Sequence, residues 1–287
     1  MGGTGKTPFT AFLATRIREK GGKAAVVMRG YKGRLSKRGA VAGQGNGPLL
    51  SAGEVGDEAF MLARQLDGIP VYIGADRAKQ VERARDDGVD VAILDDGFQH
   101  RRLHRDVNIL LAAPAHLVPD APLFPLGTLR EPADAVRRAD LVGGPDAVWR
   151  DDNRADFTFD IVASHLEDGD GSSHSPDALS GKVVVLLAAI AHPERFEATI
   201  KSLGANVAMT MFFEDHHSFT SSELGLAERA REKNADVLVT TEKDWARLSP
   251  NHRRILSHCV VLCIRISLKR GRKKMDEMIR RLVDGGF

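Results

Sequence analysis

The stretch MGGTGKT, residues 1–7, is the strongest indication of fold class in the sequence. A phosphate-binding P-loop needs glycines, because their backbone N–H groups can turn inward onto phosphate oxygens. It also needs a lysine that reaches the β- and γ-phosphates and a hydroxyl group that binds Mg²⁺. We predict that the nucleotide-binding loop consists of Gly2, Gly3, Thr4, Gly5, Lys6 and Thr7.

A helix is predicted directly after this loop. Pro8 suits a first helical turn, and Phe9, Leu13 and Ile17 form an apolar face because they recur every four residues. The positive N-terminal end of such a helix favours an anion in the loop. Further along the chain, apolar runs alternate with helical patterns, as is typical of parallel sheets. We therefore predict an α/β fold with a P-loop NTPase-like parallel sheet and a second, smaller α/β lobe.

The boundary between the two lobes is predicted from a change in composition. Gly, Ser, Asp and Pro dominate residues 164–180, which favours a loop or a connection between domains. We predict a nucleotide-binding kinase domain over residues 1–160 and a linker over residues 161–180. Residues 181–287 then form a second lobe that contributes to the active-site cleft. Residues 29–56 show no strong periodicity and are predicted to form one long functional loop.

The overall composition excludes several classes of protein. Hydrophobic residues make up 43% of the 287 positions and charged residues 28%, which is ordinary for a soluble globular protein. The formal net charge of +2 argues neither for nor against a nucleic-acid partner. The longest apolar run, residues 183–191, is far shorter than the roughly 20 residues that span a bilayer. Cys259 and Cys263 lack CxxC spacing, so they are predicted to pack as small hydrophobic residues.

A second motif, ILDD at residues 93–96, resembles the end of a Walker-B strand. In that arrangement an apolar strand ends in an aspartate that lies beside the P-loop hydroxyl group and holds Mg²⁺. We predict Asp95 and Asp96 as metal ligands together with Thr7. Aspartates at strand ends are common, so the prediction depends on the P-loop that precedes the motif.

Three other clusters carry charge but are less specific. Glu54, Asp57 and Glu58 lie at a predicted loop-to-helix junction, where acidic residues also stabilise helix ends. The sequence Asp-His-His at residues 215–217 follows a predicted strand. Adjacent histidines point in different directions there, so a histidine that tunes a carboxylate base is favoured over a zinc site. Two basic loops fit either a solvated surface or an anionic substrate or membrane: Arg29, Lys32, Arg34, Lys37, Arg38, and His100, Arg101, Arg102, His104, Arg105.

Taken in order along the chain, these motifs resemble the tetraacyldisaccharide 4′-kinase family. The matching segments are GGTGKTP at 2–8, RGYKGR at 29–34, VGDE at 55–58, DDGFQH at 95–100, LREP at 129–132, HPERF at 192–196, EDHHSF at 214–219 and TTEKD at 240–244. The resemblance implies ATP- and Mg²⁺-dependent phosphorylation of the 4′-hydroxyl of a tetraacylated glucosamine disaccharide 1-phosphate, which gives lipid IVA in lipid A biosynthesis. It further implies a peripheral enzyme at the cytoplasmic face of the bacterial inner membrane, with no nucleic-acid or obligate protein partner.

The resemblance also assigns roles to individual residues. It implies that Asp57 is the catalytic base and that His216 is its partner, with His217 as the alternative. Lys6 stabilises the transferring phosphoryl group. The remaining assignments are Gln99 in the nucleotide site, Glu131 with Thr7, Asp95 and Asp96 at the metal, and Arg29, Tyr31 and Arg130 at the substrate.

Members of the family begin with a longer segment that contains a membrane-seating helix and a first strand. We therefore expect this chain to be truncated at its N-terminus and soluble as given. Two alternatives stay open at this stage. GGTGKT also resembles the deviant P-loop of nucleotide-switch ATPases, and a truncated kinase could be inactive. A switch ATPase has no need for DDGFQH together with DHH, which favours the kinase.

Overall fold

The computed structural model describes residues 5–118, 121–124, 126–127, 129–256 and 258–286. It divides into two compact units, of which the first comprises Met1–Ile161 and Ile266–Phe287 and the second Val162–Arg265. The expected second lobe, residues 181–287, differs from this division because its last segment belongs to the first unit. No helix among the described residues is both long and apolar enough to cross a membrane.

The first unit alternates helices and strands, as the sequence predicts. Its elements are α1 (Lys6–Glu19), β1 (Ala24–Met28), β2 (Ala40–Gln44), α2 (Ala52–Val55), α3 (Asp57–Gln65), β3 (Pro70–Ile73), α4 (Arg77–Asp86), β4 (Val91–Leu94), β5 (Ile109–Leu111), β6 (Leu141–Pro145), α5 (Asp146–Trp149) and the first half of β7 (Phe157–Asp168). Short 3₁₀ helices cover Pro114–Leu117 and Ala133–Arg138.

The second unit contains a similar alternation. Its elements are the end of β7, β8 (Ser173–His174), β9 (Val183–Ala188), α6 (Pro193–Ser202), β10 (Asn206–Phe212), α7 (Ser221–Asn234), β11 (Val237–Thr241), α8 (Glu242–Arg247), α9 (Pro250–Ile255) and the first half of β12 (Cys259–Arg270). The chain then returns to the first unit with the end of β12 and with α10 (Arg272–Val283).

A four-stranded sheet in the first unit has the strand order β2-β3-β1-β4. The central strand β1 runs parallel to β3 and β4, and β2 runs antiparallel to β3. Every residue of β1 is buried, because Val26 and Met28 belong to the core on one face while Ala25 and Val27 belong to the core on the other. The loops that follow the parallel strands β1 and β4 therefore meet at the same edge of the sheet.

Aromatic residues connect α1 to the strand β7 in the first unit. The ring of Phe9 stacks on Phe157 with 5.1 Å between centroids and lies 5.5 Å from that of Phe159. Strands β5, β6 and β7 pair in parallel, and a side chain at Gly143 would lie 2.2 Å from the carbonyl oxygen of Phe157. Only glycine allows this approach. Packing against these strands fixes the helix that follows the P-loop.

The second unit contains parallel strands in the order β10-β9-β11-β12. Residues 184–188 of β9 are fully buried, as expected for a strand with neighbours on both sides and helices on its faces. Cys259 and Cys263 are buried in the core of this unit, as predicted. Burial raises the pKa of the Cys259 thiol well above its usual value, so this thiol stays protonated.

Two predicted loops contain regular structure. Residues 29–56 include β2 and α2, and residues 164–180 include the end of β7, β8 and a 3₁₀ turn at Pro176–Leu179. Strand β7 continues to Asp168 because Leu166 is buried and pairs in antiparallel register with His174. These short elements have no periodicity of their own. Pairing with neighbours specifies them instead.

Candidate active site

Of the predicted P-loop, the structure describes the last three residues, from Gly5 to Thr7. Gly2, Gly3 and Thr4 lie outside the described residues. Gly5 has a φ of +79° and directly precedes α1, and its carbonyl oxygen accepts the N–H of Phe9 at 2.9 Å. Lys6 and Thr7 are the first two residues of the helix, so the helix begins two residues before Pro8 and includes the end of the predicted loop. A Cβ atom at Gly5 would lie 3.1 Å from the ring of Phe159, so β7 also limits what this position accepts.

Asp96 is the centre of a cluster of charges at the edge of the first unit's sheet. Its Oδ1 atom lies 3.3 Å from Lys6 Nζ, and its Oδ2 atom accepts a hydrogen bond from Arg130 Nη1 at 3.1 Å. Arg130 also donates to Gln99 Oε1 at 3.2 Å. Partial burial alone would raise the pKa of Asp96, but Lys6 and Arg130 hold it below its usual value. The structure thus brings together the P-loop lysine and residues of the DDGFQH and LREP motifs.

Asp95 lies in the opposite environment although it is the neighbouring residue. It is 7% exposed and accepts a hydrogen bond from Thr10 Oγ1 at 3.2 Å. Burial raises the pKa of Asp95, the Thr10 hydrogen bond opposes this, and the charge of Asp96 adds to it. Asp96 itself has a φ of +52°, a left-handed conformation that aspartate tolerates better than most residues. Two adjacent carboxyl groups therefore have pKa values that are shifted in opposite directions.

The other predicted metal ligands are Glu131 and Thr7. Glu131 forms an ion pair with Arg138, whose guanidinium carbon lies 4.6 Å from the centre of the Phe98 ring. Thr7 is half-buried in the first turn of α1. The carboxylate of Glu131 is thus directed at a cation.

Two predicted motif loops, RGYKGR and EVGDE, interlock through glycines. A Cβ atom at Gly33 would lie 2.5 Å from the carbonyl carbon of Val55, and one at Gly56 would lie 2.4 Å from the carbonyl oxygen of Tyr31. Gly56 has a φ of +92°, which only glycine adopts readily. Because helix α3 begins immediately after Gly56, this close contact fixes the position of Asp57, the first residue of the helix.

The predicted substrate residues of this loop face solvent. Tyr31 is 64% exposed, and the ammonium group of Lys32 lies 5.8 Å from the centre of its ring. The carbonyl oxygen of Arg29 accepts a hydrogen bond from Ser36 Oγ at 2.8 Å, which closes the loop on itself. An exposed ring and basic side chains suit contact with an amphipathic, anionic molecule.

Arg77 belongs to the same edge of the sheet, and our sequence analysis assigned it no role. It is 8% exposed and donates to the carbonyl oxygen of Gly74 at 2.5 Å, while its Nε atom has no partner among the described residues. Burial and then the charge of Arg29 lower the pKa of Arg77, and the charges of Asp95 and Asp96 oppose this. The sequence contained one indication of this residue. Arg77 is the first residue of α4, where a cation is unfavourable because it opposes the helix dipole.

In the second unit, the DHH and TTEKD motifs lie together. Lys243 Nζ donates to Asp215 Oδ1 at 2.8 Å and lies 3.5 Å from His216 Nε2. Partial burial alone would raise the pKa of Asp215, but Lys243 outweighs it and the net shift is downward. His216 has a φ of +67°, and its backbone N–H donates to the carbonyl oxygen of Ala189 at 3.3 Å.

His217 has a packing environment that differs from that of His216. Its ring stacks on Phe213 with 4.7 Å between centroids and meets Phe219 edge to face at 5.6 Å. Its Nε2 atom lies 3.2 Å from the carboxylate of Glu223, which also caps α7 through Thr220. These contacts support a structural role for His217.

Comparisons with known proteins identify the family of this chain. The family model described as LpxK, tetraacyldisaccharide-1-P 4′-kinase, matches residues 1–284. A tetraacyldisaccharide 4′-kinase of Syntrophus aciditrophicus is 36% identical over 99% of this chain and 82% of its own length. One from Geobacter sulfurreducens is 38% identical over 89% of this chain and 74% of its own.

A solved structure is also similar. The crystal structure of LpxK from Aquifex aeolicus in complex with ATP matches with a TM-score of 0.81 and 30% sequence identity. The match covers 99% of this chain and 85% of that chain. The fold therefore agrees over nearly all of this chain, and the chain belongs to the tetraacyldisaccharide 4′-kinase family.

Proposed function

We propose that this protein transfers the γ-phosphoryl group of ATP to the 4′-hydroxyl of a tetraacylated glucosamine disaccharide 1-phosphate, giving lipid IVA in lipid A biosynthesis. The observation that carries the proposal is the cluster at Asp96, where Lys6 of the P-loop and Arg130 of LREP share one carboxylate. Two cations that share one carboxylate, one of them at the start of α1, suit the binding of a polyphosphate.

The donor set at this edge fits Mg²⁺. Asp95 and Asp96 offer carboxylate oxygens and Thr7 offers a hydroxyl, and hard oxygen ligands are those that Mg²⁺ prefers. Glu131 is proposed as a further ligand, which requires that its ion pair with Arg138 opens. When bound, Mg²⁺ supplies positive charge that neutralises phosphate oxygens.

The residues of the chain then account for the transfer. Asp57 accepts the proton of the 4′-hydroxyl as the new oxygen–phosphorus bond forms and the bond from the γ-phosphorus to the β-phosphate oxygen breaks. Lys6 leaves Asp96 and stabilises the negative charge of the phosphates. His216 acts in the same step by tuning the carboxylate base, and Gln99 and Arg130 orient the phosphates.

The lipid acceptor places the reaction at a membrane surface. We propose that the enzyme is peripheral, at the cytoplasmic face of the inner membrane, and that Arg29 and Tyr31 contact the anionic headgroup. Basic and aromatic side chains are typical of such interfaces. No nucleic acid and no obligate protein partner takes part in the proposed reaction.

The test is transfer of labelled phosphate from ATP to the tetraacyl disaccharide 1-phosphate in detergent micelles. Asp57→Ala should lower the turnover number by about 10² to 10⁴-fold because the base is lost. Lys6→Ala should lower it by about 10² to 10³-fold because charge stabilisation is lost. Asp67→Ala, which removes an exposed carboxylate beyond α3, is the matched control and should leave turnover unchanged.

Undiminished turnover in either active-site variant would contradict the assignment. Hydrolysis of ATP at full rate without the lipid acceptor would instead favour a nucleotide-switch ATPase. A wild-type chain that folds but transfers no phosphate would favour an inactive kinase.

A further inference from the structure

The TTEKD segment, residues 240–244, is anchored to a neighbouring strand end in the second unit. The hydroxyl of Thr240 donates to the carbonyl oxygen of Leu187 at 2.8 Å. Asp244 is fully buried, and its carboxylate accepts the N–H of Ala189 at 3.1 Å and the hydroxyl of Thr241 at 2.7 Å. Arg247 forms an ion pair with Asp244 as well. The first turn of α8 is therefore held against the end of β9.

Lys243 extends from this anchored turn toward the DHH segment. Its side chain is 23% exposed, so most of its length is packed. The ammonium nitrogen contacts Asp215 and lies 3.5 Å from His216 Nε2. The backbone of His216 is bonded to Ala189, the same residue that Asp244 holds. Lysine and histidine are thus fixed to one strand end.

We propose that Lys243 is a positioning residue that fixes the orientation and the tautomer of His216, with the proton of the neutral ring on Nδ1. An ammonium group has three donors and no acceptor, so its contact with Nε2 is favourable only when Nε2 carries no proton. The partner of one ring nitrogen sets the tautomer of the whole ring. The consequence for catalysis rests on the proposed function, but the tautomer itself does not.

Asp215 makes this arrangement possible. Its carboxylate compensates the charge of Lys243, and the net lowering of its pKa keeps it ionised at neutral pH. Its Oδ2 atom lies 3.8 Å from His216 Nε2, which is beyond hydrogen-bond distance. The carboxylate therefore holds the lysine, and the lysine contacts the ring.

The neighbouring histidine provides an internal contrast. The Nε2 atom of His217 faces a carboxylate, Glu223, at 3.2 Å, and a carboxylate only accepts. That contact requires a proton on Nε2. Two adjacent histidines should therefore carry opposite tautomers when both are neutral, His216 with its proton on Nδ1 and His217 with its proton on Nε2.

An Nδ1–H group has a defined use in the proposed reaction. It can donate to a carboxylate and orient that group, as in other sites where a histidine and a carboxylate act together. A ring with its proton on Nε2 would present an acceptor at Nδ1 and would repel a carboxylate. Loss of the lysine should therefore slow phosphoryl transfer while ATP binding, which involves the first unit, stays normal.

The experiment uses the full chain labelled with ¹⁵N-histidine and two-bond ¹H–¹⁵N correlation spectra at a pH where both rings are neutral. Wild-type His216 should show an unprotonated Nε2, and His217 an unprotonated Nδ1. Lys243→Met should convert His216 to the Nε2–H tautomer and leave His217 unchanged. Lys243→Arg, which keeps a donor-only cation, should preserve the wild-type tautomer.

Kinetics provide the second readout. Lys243→Met should lower kcat at least about tenfold with an unchanged KM for ATP, and Lys243→Arg should recover most of the loss. Lys233→Met, which removes an exposed lysine from the last turn of α7, is the control and should change neither quantity.

A wild-type His216 that carries its proton on Nε2 would overturn the proposal, and so would a Lys243→Met variant with an unchanged tautomer and unchanged kcat. The wild-type spectrum decides the tautomer even where a variant fails to fold. A wild-type chain without kinase activity would count against the proposed function and leave the spectroscopic test intact.

Discussion

A lysine–aspartate pair at the edge of the parallel strands can be compared between the two units, and the two pairs differ in exposure. Lys6 and Asp96 lie 3.3 Å apart, with side chains that are 38% and 49% exposed. Lys243 and Asp215 lie 2.8 Å apart, with side chains that are 23% and 33% exposed. In the proposed reaction, both members of the looser pair exchange partners when nucleotide binds. The tighter pair suits a permanent contact that holds a third residue.

The buried carboxylate beside each pair shows the same contrast. Asp244 accepts hydrogen bonds from a backbone N–H and a hydroxyl and pairs with Arg247. Asp95 is almost as buried, but the side chain of Thr10 is its main partner and its pKa is raised. A buried carboxylate that is well satisfied stabilises a fold, whereas a poorly satisfied one marks a binding site.

The largest expected effects come from substituting Asp95 and Asp96 one at a time. Asp95→Asn should lower turnover by about 10²-fold or more through loss of a metal ligand, yet it should raise the unfolding temperature at pH 7. The folded-state pKa of Asp95 is raised above its unfolded-state value of about 3.9. Asp95 therefore contributes to the free energy of unfolding below that value, and this contribution is lost as pH rises through the folded-state pKa. Asparagine does not titrate and avoids that loss.

Asp96→Asn should also reduce turnover, but its stability effect has the opposite sign. The folded-state pKa of Asp96 is lowered below its unfolded-state value. Asp96 therefore stabilises the fold above the unfolded-state pKa, and this stabilisation is lost as pH falls through the folded-state pKa. Because the pair is half exposed, the loss at pH 7 should be at most about 1 kcal/mol. Thermal unfolding of both variants between pH 4 and about pH 8 measures the two signs. Equal signs would contradict the contrast between the two carboxylates.

The next prediction concerns the interlocked loops of the first unit. Gly56→Ala forces a side chain into the left-handed region and against the carbonyl oxygen of Tyr31, 2.4 Å away. We expect a loss of about 2–3 kcal/mol in the free energy of unfolding and a large loss of turnover, because Asp57 is displaced. Chemical denaturation measures the first quantity.

Gly53→Ala is the matched control, because Gly53 lies in α2 and a Cβ atom there would meet nothing within 4 Å. It should be neutral or should stabilise by about 0.5–1 kcal/mol. Equal destabilisation by both substitutions would mean that the loops do not depend on close glycine contacts.

The smallest expected effect separates the two histidines of the second unit. His217→Ala removes a ring stacked on Phe213 and should lower the free energy of unfolding by about 1–2 kcal/mol with little effect on kcat. His216→Ala should lower kcat and should have little effect on the free energy of unfolding. If a His217→Ala variant unfolds like wild type but has lost its activity, His217 is the histidine required for activity and His216 is not.

Local patterns predicted much of the fold and part of the site. Helix α1 begins at Lys6 because glycines end just before it and apolar residues recur within it. Asp95 directly follows strand β4, as a Walker-B motif requires. The sequence patterns missed β6 and β7, since a glycine-containing strand and a partly polar one depend on neighbours for their pairing.

The amino-acid sequence by itself determined the alternation of elements, the presence of α1 at the glycine-rich loop and the order of the family motifs. All of these depend on residues that are close in the chain. Only the tertiary structure decided which charges meet. Arg130 reaches Asp96 across 34 positions and Lys243 reaches His216 across 27. The physical reason is that strand order, which depends on packing of the whole unit, selects which loops share an edge of a sheet.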